Sequence, residues 1–376
     1  MKVLVVGGSQ FNGYALVQEL VRRDHEVTVL NRGRTETSFP GGVERLVGDR
    51  TDAERMRTLF SGAEYDCVFD TCAYHPDDVE MMTALLGGRT GHYVFLSSVA
   101  IYAPSKVLPI AEDFPDDRSP RQNEYGLHKL LCEDHLLQAH RDLGFPATTV
   151  VLHMVMGPRN ILPDREQRMF DRLLTGRPVL ILGDGTTLGQ VGHVDDQAVA
   201  LCDLMGRPDT FGQRYNLTGG EYFTDEGYVD AFSAVTGRPA EKVFVPADLV
   251  DDLWDGRVEL EADSQTSAHI DIRSSDPSRR MASTMRTRYQ LANLVQKAQP
   301  NLHRWNASVL LGIDKLARDV GWRPAFSFPD AVAHTFEWFQ REGRARAATF
   351  DYTFEDELLR RCQRRDPHDR RENSGR

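Results

Sequence analysis

Residues 2–22, KVLVVGGSQFNGYALVQELVR, decide the fold of this chain of 376 residues. Lys2–Val6 is an apolar, β-branched run that predicts a buried strand, residues 7–13 are rich in glycine, and residues 14–22 carry apolar side chains at helical spacing. A strand, a glycine turn and a helix in this order predict a βαβ opening that aims a helix N-terminus at an anion. Gln10 interrupts the GxxGxxG-type pattern of the turn, so the pattern alone is equally compatible with an ordinary turn.

Strand and helix signals alternate downstream of this opening. Strands are predicted over residues 25–30, 44–47, 66–70 and 93–96, with helices over 51–59 and 76–86. This alternation predicts an α/β fold, a Rossmann-type doubly wound parallel sheet with a smaller C-terminal substrate-binding lobe. We expect a dinucleotide-binding domain over residues 1–157 and the substrate lobe over residues 158–350.

The carboxyl ends of the predicted strands are the expected ligand-binding edge of such a sheet. Asn31 stands where an acidic residue would mark a preference for NAD, and Arg32 and Arg34 follow it. Asn31 can bond a ribose, whereas the arginines either hold a 2′-phosphate or lie in solvent, so NAD and NADP both stay open. The candidate cofactor contacts are Gly7, Ser9, Gln10, Phe11, Asn12, Gly13, Asn31, Arg32, Arg34, Asp49, Arg50, Thr71, Cys72, Ala73, Ser97, Tyr125, Lys129 and His153.

The segment YGLHK at residues 125–129 supplies proton chemistry. A phenol has an unperturbed pKa of about 10 and is a poor base near neutral pH, unless a nearby cation stabilises its phenolate. Lys129 lies one helical turn from Tyr125 and supplies that cation. Ser98, at the end of the fifth predicted strand, would hold the substrate oxygen while Tyr125 takes its proton. Ser98, Tyr125 and Lys129 are therefore the candidate catalytic residues.

These motifs resemble the extended or atypical short-chain dehydrogenases/reductases, in the group of NAD-dependent epimerases and dehydratases. The further matching segments, in family order, are SSVAIY at 97–102, GPR at 157–159, GDG at 183–185, HVDD at 193–196, residues 216–220 and DKLARDVGWRP at 314–324. The resemblance covers most of residues 1–339, apart from about 251–301. It implies that Lys129 bonds the nicotinamide ribose, that the chain crosses back into the first domain, and that a homodimer forms through helices around Pro76–Leu86 and 125–140.

Departures from the family pattern narrow the reaction. Val99 and Ala100 stand where sugar-nucleotide 4,6-dehydratases of the family carry an Asp-Glu pair, so dehydration by those residues is not expected. Gly189 and His153 stand where the family often places arginines, the first of which holds a nucleotide diphosphate. The missing cations favour a free nucleoside, a free sugar or another polyhydroxylated small molecule over a nucleotide diphosphate sugar.

Three functions are compatible with these residues. The first is a redox-neutral epimerase or dehydratase of a sugar-containing small molecule, with tightly bound oxidised NAD slightly favoured as cofactor: hydride leaves a secondary carbinol, epimerisation or elimination follows, and hydride returns. The second is an NAD(P)H-dependent ketoreductase or alcohol dehydrogenase, which would use the same triad. The third is a non-catalytic nucleotide- or RNA-binding protein, as in atypical family members that often lose the tyrosine or lysine. The candidate substrate contacts are Tyr74, His75, Ser98, Asn160 and His193.

Composition sets limits around these functions. The net charge of -11 argues against a nucleic-acid partner, whose phosphates would be repelled. Neither a signal peptide nor an apolar run of spanning length is present, so we expect a soluble, cytoplasmic protein with no membrane contact. The five cysteines lack CxxC spacing and the histidines are scattered, so no metal is predicted.

Two regions are less informative. Residues 251–301 contain a polar stretch at 261–280 and a helical pattern at 281–298, and form either a lid over the substrate or a surface excursion. The tail, residues 351–376, begins as a helix and becomes polar and rich in arginine, with disorder expected at its end.

Overall fold

The computed structural model describes residues 1–39, 41–162, 165–260, 283–295, 303–343 and 350–365. The chain divides into two compact units, each assembled from three segments. The first unit consists of Met1–Ile161, Gln190–Glu221 and Val309–Ala331, and the second of Leu162–Gly189, Tyr222–Ser308 and Val332–Arg376. The chain therefore returns twice to the unit in which it begins.

The secondary structure follows the predicted alternation of strands and helices. The strands are β1 (Lys2–Val6), β2 (Glu26–Asn31), β3 (Glu44–Val47), β4 (Cys67–Asp70), β5 (Tyr93–Ser98), β6 (Ala147–Leu152), β7 (Val155–Met156), β8 (Val179–Leu182), β9 (Leu188–Gly189), β10 (Gly192–His193), β11 (Arg214–Leu217), β12 (Phe223–Thr224) and β13 (Lys242–Val245). The helices are α1 (Phe11–Arg22), α2 (Ala53–Leu59), α3 (Pro76–Leu86), α4 (Glu124–Leu143), α5 (Glu166–Leu174), α6 (Val194–Leu204), α7 (Asp225–Thr236), α8 (Ala247–Trp254), α9 (Ser283–Ala292), α10 (Asp314–Val320), α11 (Phe328–Trp338) and α12 (Thr353–Arg365).

The first unit is built on a seven-stranded sheet with the order β11-β6-β5-β4-β1-β2-β3. Every neighbouring pair in it is parallel, and β1 pairs with both β2 and β4. Strand order therefore reverses beside β1, which places the ligand edge at the carboxyl ends of β1 and β4. The predicted Rossmann-type parallel sheet is confirmed.

Successive side chains of a strand point to opposite faces of the sheet, and the apolar side chains of β1 are buried on both faces. Val3 and Val5 belong to a core that includes Leu16 of α1. Leu4 and Val6 belong to a second core, which includes residues of α2, α3 and α4. Helices thus cover both faces, as a doubly wound fold requires.

The second unit has its own core around the parallel pair β8 and β13. Leu182 and Val245 of these strands cluster with Leu253 of α8, Leu291 of α9 and Leu358 of α12. The helical pattern predicted within 281–298 and the helix predicted at the start of the tail are therefore present. The polar stretch at 261–280 and the end of the tail from residue 366 lie outside the described residues. No helix in the described ranges is long and apolar enough to cross a membrane.

His92, which precedes β5, links three segments of the first unit through a neutral ring. Its Nε2 donates to Thr148 Oγ1 over 2.8 Å, since that hydroxyl itself donates to the Thr210 carbonyl. The Gly206 N–H donates to the other ring nitrogen, Nδ1, over 3.1 Å. Burial lowers the pKa of His92 to about 4, from 6.5.

This histidine makes stability depend on pH. The pKa of His92 is lower in the folded state than in the unfolded state, so between about pH 4 and pH 6.5 the unfolded state binds more protons. The stabilising effect of the neutral ring is therefore complete above about pH 6.5 and is lost as the pH falls toward 4. At about 1.4 kcal/mol per pKa unit, we expect a loss of about 3 kcal/mol by pH 4. Urea unfolding of the wild type and His92→Gln across this range checks it: the wild type should show the steeper loss, and parallel curves would contradict the prediction.

Candidate functional site

The glycine loop between β1 and α1 is shaped by two close approaches. Gly7 has a φ of +105°, and a Cβ there would lie 2.5 Å from Thr71 Oγ1 at the end of β4. A Cβ at Gly13 would lie 2.8 Å from the Cα of Gly8, so the first turn of α1 packs directly on the loop. Both positions require glycine, which is the reason that this loop carries so few side chains.

The N-terminus of α1 is available to an anion. Gln10 occupies its N-cap without a side-chain capping bond, and the first turn has no acidic residue. Phe11, the first helical residue, has an uncommon φ of +39°. The buried Oδ1 of Asn12 accepts no hydrogen bond from the described residues. Backbone N–H groups at the positive end of a 12-residue helix suit the pyrophosphate of a dinucleotide, so the residues present fit that group.

Asn31 joins this loop to the end of β2. Its amide nitrogen donates to Ser9 Oγ over 2.8 Å, and its Oδ1 accepts from the Gly33 N–H over 2.9 Å. Gln10 reaches the same segment, with its Nε2 lying 3.5 Å from Thr35 Oγ1. The predicted ribose contact is thus held at the edge of the glycine loop by its own neighbours.

Charges of both signs lie beyond the ends of β2 and β3. Arg32 and Arg34 are exposed, and Asp49 accepts hydrogen bonds from the backbone and hydroxyl of Thr51. The Thr51 hydrogen bonds, and after them the charges of Arg32 and Arg34, lower the pKa of Asp49. This region therefore offers a carboxylate as well as two cations to the adenosine end of a cofactor.

Lys129 ties the ends of β4 and β5 together. Helix α4 begins where Asn123 Oδ1 accepts the Gly126 N–H over 2.6 Å, which places Lys129 in its second turn. The buried Nζ donates to the carbonyls of Ala73 and Leu96, each over 2.7 Å. Burial lowers the pKa of Lys129. The ammonium is thus fixed at the ligand edge of the sheet with one N–H remaining beyond these two bonds.

Tyr125 stands beside this ammonium and is open to solvent. Its side chain is 38% exposed, and Lys129 Nζ lies 5.8 Å from its ring centroid. Ser98 ends β5, two residues beyond the Leu96 carbonyl that binds Lys129, and its Oγ accepts the Ala100 N–H over 3.3 Å. An accessible phenol, a buried ammonium and a strand-end hydroxyl are the groups needed to move a proton to or from a carbinol.

Arg50, which was predicted to contact the cofactor, is engaged within the protein. Its Nη1 and Nη2 donate to the two carboxylate oxygens of Asp70, each over 2.9 Å, and its Nε lies 2.9 Å from Asp78 Oδ1. Burial alone would raise the pKa of Asp70, but the charge and hydrogen bonds of Arg50 lower it. The guanidinium is therefore engaged beneath the strand ends. The sequence carries a signal of this ion pair: Asp70 ends the apolar strand CVFD, and a buried carboxylate needs a cation.

Ser97, another predicted cofactor contact, has an internal partner for its side chain. Its hydroxyl donates to Glu133 of α4, which pairs with Arg214 over 2.6 Å. Because neighbouring side chains of a strand face opposite sides, Ser97 serves this buried network while Ser98 faces the other way. Thr71 likewise bonds inward, with its hydroxyl donating to the Val6 carbonyl over 2.8 Å, and Ala73 is fully buried. Cys72 lies 3.6 Å from the Arg50 guanidinium.

His153 and His193 are buried in the first unit with partners of their own. His153 Nε2 donates to the Val309 carbonyl over 3.0 Å. His193 caps α6, since its Nδ1 accepts the Asp195 N–H over 3.2 Å, and its ring stacks on Phe326 with centroids 3.9 Å apart. The first was predicted to contact the cofactor and the second the substrate, and both rings take part in the packing of the unit.

The other predicted substrate contacts lie on two separate segments. Tyr74 and His75 follow β4, and the His75 ring lies 4.5 Å from that of His128 on α4. Asn160 is buried beyond β7, where its Nδ2 donates to the Val155 carbonyl over 3.5 Å. The structure thus brings Tyr74 and His75 to the helix that carries Tyr125 and Lys129.

The model of one family, described as the NAD dependent epimerase/dehydratase family, matches residues 3–218. The chain belongs to the NAD-dependent epimerase/dehydratase family. This membership confirms the resemblance seen in the sequence and indicates an enzyme of the NAD-dependent short-chain dehydrogenase/reductase type. The glycine loop, Tyr125 and Lys129 all fall within the matched residues.

Individual family relatives are distant from this chain. The chloroplast stem-loop binding protein of 41 kDa b from Arabidopsis thaliana is 29% identical over 64% of this chain and 65% of its own length, just under two thirds. The 2′-dehydrokanamycin reductase of Streptomyces kanamyceticus is 26% identical over 66% and 70%. Among solved structures, the UDP-glucose 4-epimerase of Thermotoga maritima with UDP-glucose has a TM-score of 0.66 at 19% identity, covering 91% of this chain and 99% of its own. This last likeness shows a shared fold.

Proposed function

We propose that this family member is a redox-neutral, NAD-dependent epimerase or dehydratase of a sugar-containing small molecule other than a nucleotide diphosphate sugar. The observation that carries the proposal is the placement of an exposed Tyr125 phenol beside a buried Lys129 ammonium, which two carbonyls at the strand ends anchor. A proton-transfer pair at the ligand edge favours an enzyme over a protein that only binds.

The chain's own residues perform the proton work. Ser98 holds the substrate hydroxyl, the Tyr125 phenolate takes its proton as the carbonyl forms, and the Lys129 charge stabilises that phenolate. The remaining N–H of Lys129 would bond the nicotinamide ribose, so that cofactor binding and catalytic readiness are linked. Bound NAD supplies the hydride acceptor and, at the end of the cycle, the hydride donor. The α1 N-terminus would hold its pyrophosphate and Asn31 a ribose hydroxyl.

The proposed substrate class is supported by the lack of diphosphate-binding cations at two positions. Gly189 replaces the usual arginine in the segment between GDG and HVDD, and His153 is bonded to the Val309 carbonyl. The Streptomyces relative, named for 2′-dehydrokanamycin, is in keeping with a polyhydroxylated substrate that carries no nucleotide. That relative is a reductase, which keeps the NAD(P)H-dependent ketoreductase as the second candidate.

The dinucleotide released from freshly purified, denatured protein tests this proposal by mass spectrometry. We expect near-stoichiometric oxidised NAD, which a redox-neutral enzyme retains between turnovers. A protein that is empty but binds NADPH reversibly would favour the ketoreductase. Binding of neither dinucleotide would overturn both enzyme functions, and a stem-loop RNA added to such a protein would then test the activity that the Arabidopsis relative's name states.

A further inference from the structure

A second phenol shares the ammonium of the triad. The Tyr74 ring lies 4.9 Å from Lys129 Nζ, closer than the Tyr125 ring at 5.8 Å. The two rings lie 6.0 Å apart and are inclined at 43°. Burial lowers the pKa of Lys129, and the charge of Tyr74 is the strongest of the effects that oppose this change. One ammonium group therefore lies near two tyrosine rings at the ligand edge of the sheet.

The backbone holds Tyr74 in this place. The carbonyl of the preceding residue, Ala73, accepts a hydrogen bond from Lys129 Nζ over 2.7 Å. The Tyr74 N–H donates to Asp78 Oδ2 over 2.8 Å, and the other carboxylate oxygen of Asp78 lies 2.9 Å from the Arg50 guanidinium. The loop that carries Tyr74 is thus fixed to both the catalytic helix and the buried ion pair. Such support is what an acid–base residue requires.

We propose that Tyr74 is the second acid–base residue, which moves the proton on the carbon next to the transient carbonyl while Tyr125 serves the hydroxyl oxygen. This inference rests on the proposed function. A redox-neutral epimerisation or elimination needs two proton transfers at different atoms, and Tyr125 supplies one of them. Among the described residues near Lys129, Tyr74 is the other phenol in contact with its charge.

A single ammonium can serve both phenols because it stabilises them in turn. Once Tyr125 has taken the hydroxyl proton it is neutral, and the Lys129 charge then favours loss of the Tyr74 proton to water. The Tyr74 phenolate removes the proton from the carbon beside the carbonyl, and the C–H electron pair becomes that of the enolate. After the bound enolate turns its opposite face to the phenol, Tyr74, whose proton exchanges with water, protonates that carbon and gives the epimer. Alternatively, Tyr74 gives the proton to a hydroxyl that leaves the next carbon as water; hydride then returns to the conjugated alkene, and Tyr125 supplies the accompanying proton. In both branches Tyr74 regains from water the proton that it first lost. Neither branch needs an external oxidant or reductant.

Separating the two half-reactions tests the assignment. Wild type, Tyr74→Phe, Tyr125→Phe and Tyr65→Phe are mixed with glucose, galactose, glucuronic acid, uridine, kanamycin and UDP-glucose in deuterium oxide. Reduced-nicotinamide absorbance reports the first half-reaction, and deuterium in recovered substrate reports the second. We expect Tyr74→Phe to reduce its cofactor within about threefold of the wild type but to lose deuterium incorporation about 100-fold or more. Tyr65→Phe is the matched control, because Lys2 Nζ lies 5.2 Å from that ring.

A second measurement works without a substrate. Ring-labelled tyrosine NMR of the NAD-loaded protein follows ionisation of Tyr74 and Tyr125 in the wild type and in each single variant. Because one charge serves two phenols, removal of either should let the other ionise at lower pH than in the intact pair. Deuterium incorporation by Tyr74→Phe at the wild-type rate, or unchanged Tyr74 ionisation in Tyr125→Phe, overturns the role of Tyr74. If no compound reduces the wild-type cofactor, the proposed function fails while the NMR result still decides whether the phenols are coupled.

Discussion

A Tyr125→Phe variant is expected to keep its dinucleotide and to lose turnover by about 10²–10⁴-fold, the range that a positioned acid–base group contributes. The substitution removes one hydroxyl from a side chain that is 38% exposed, so little packing is lost. Lys129 keeps its bonds to the Ala73 and Leu96 carbonyls, which do not involve the phenol. Binding and chemistry should therefore separate cleanly in this variant.

Binding is measured by mass spectrometry of the released dinucleotide. Chemistry is measured by reduction of the bound cofactor with the six compounds named above. Tyr65→Phe again serves as the control, since it removes a buried phenol beside a different lysine. Full activity in Tyr125→Phe would exclude the triad mechanism. Loss of the dinucleotide from this variant would instead show that Tyr125 acts in cofactor retention, and the catalytic role proposed for it would need revision.

The framework of the first unit was predictable because its signals are local. Lys2–Val6, Glu44–Val47 and Pro76–Leu86 match their predicted bounds residue for residue. Lys2–Val6 is an apolar run and Pro76–Leu86 is a helical pattern, so no distant contact is needed to define either element. The spacing of Tyr125 and Lys129 is also local, since one helical turn fixes it.

Side-chain partners were harder to predict, because they depend on which strands become neighbours. Ser97 and Ser98 are adjacent in sequence, yet Ser97 bonds to Glu133 on α4 whereas Ser98 is the last residue of β5, at the ligand edge. Assigning their faces needs the orientation of β5, which the run YVFLSS, buried on both sides, does not reveal. The proximity of Tyr74 to Lys129 likewise arises only when β4 and α4 meet.

Arg50→Met is expected to destabilise the protein by about 3–5 kcal/mol, the cost of removing one partner from a buried ion pair. Asp70 is fully buried and receives two hydrogen bonds from this guanidinium, so the variant leaves its charge without a cation. Urea unfolding followed by circular dichroism measures the change. Arg118→Met is the matched control: Arg118 pairs with Asp134, both are about half exposed, and its loss should cost no more than about 1 kcal/mol.

The pH dependence of this cost tests its cause. Without Arg50, burial should raise the pKa of Asp70 above its unfolded value, so the folded state would bind the extra proton. Stability of the variant is then greatest at acid pH and falls as pH rises through the raised pKa, which makes the difference from the wild type larger at pH 8 than at pH 5. A cost that does not vary with pH would assign the loss to packing of the arginine stem. A cost equal to that of Arg118→Met would show that the carboxylate finds another donor. Arg50 also pairs with Asp78, which accepts a hydrogen bond from the Tyr74 N–H. The variant should therefore show lower turnover even under conditions in which it is still folded.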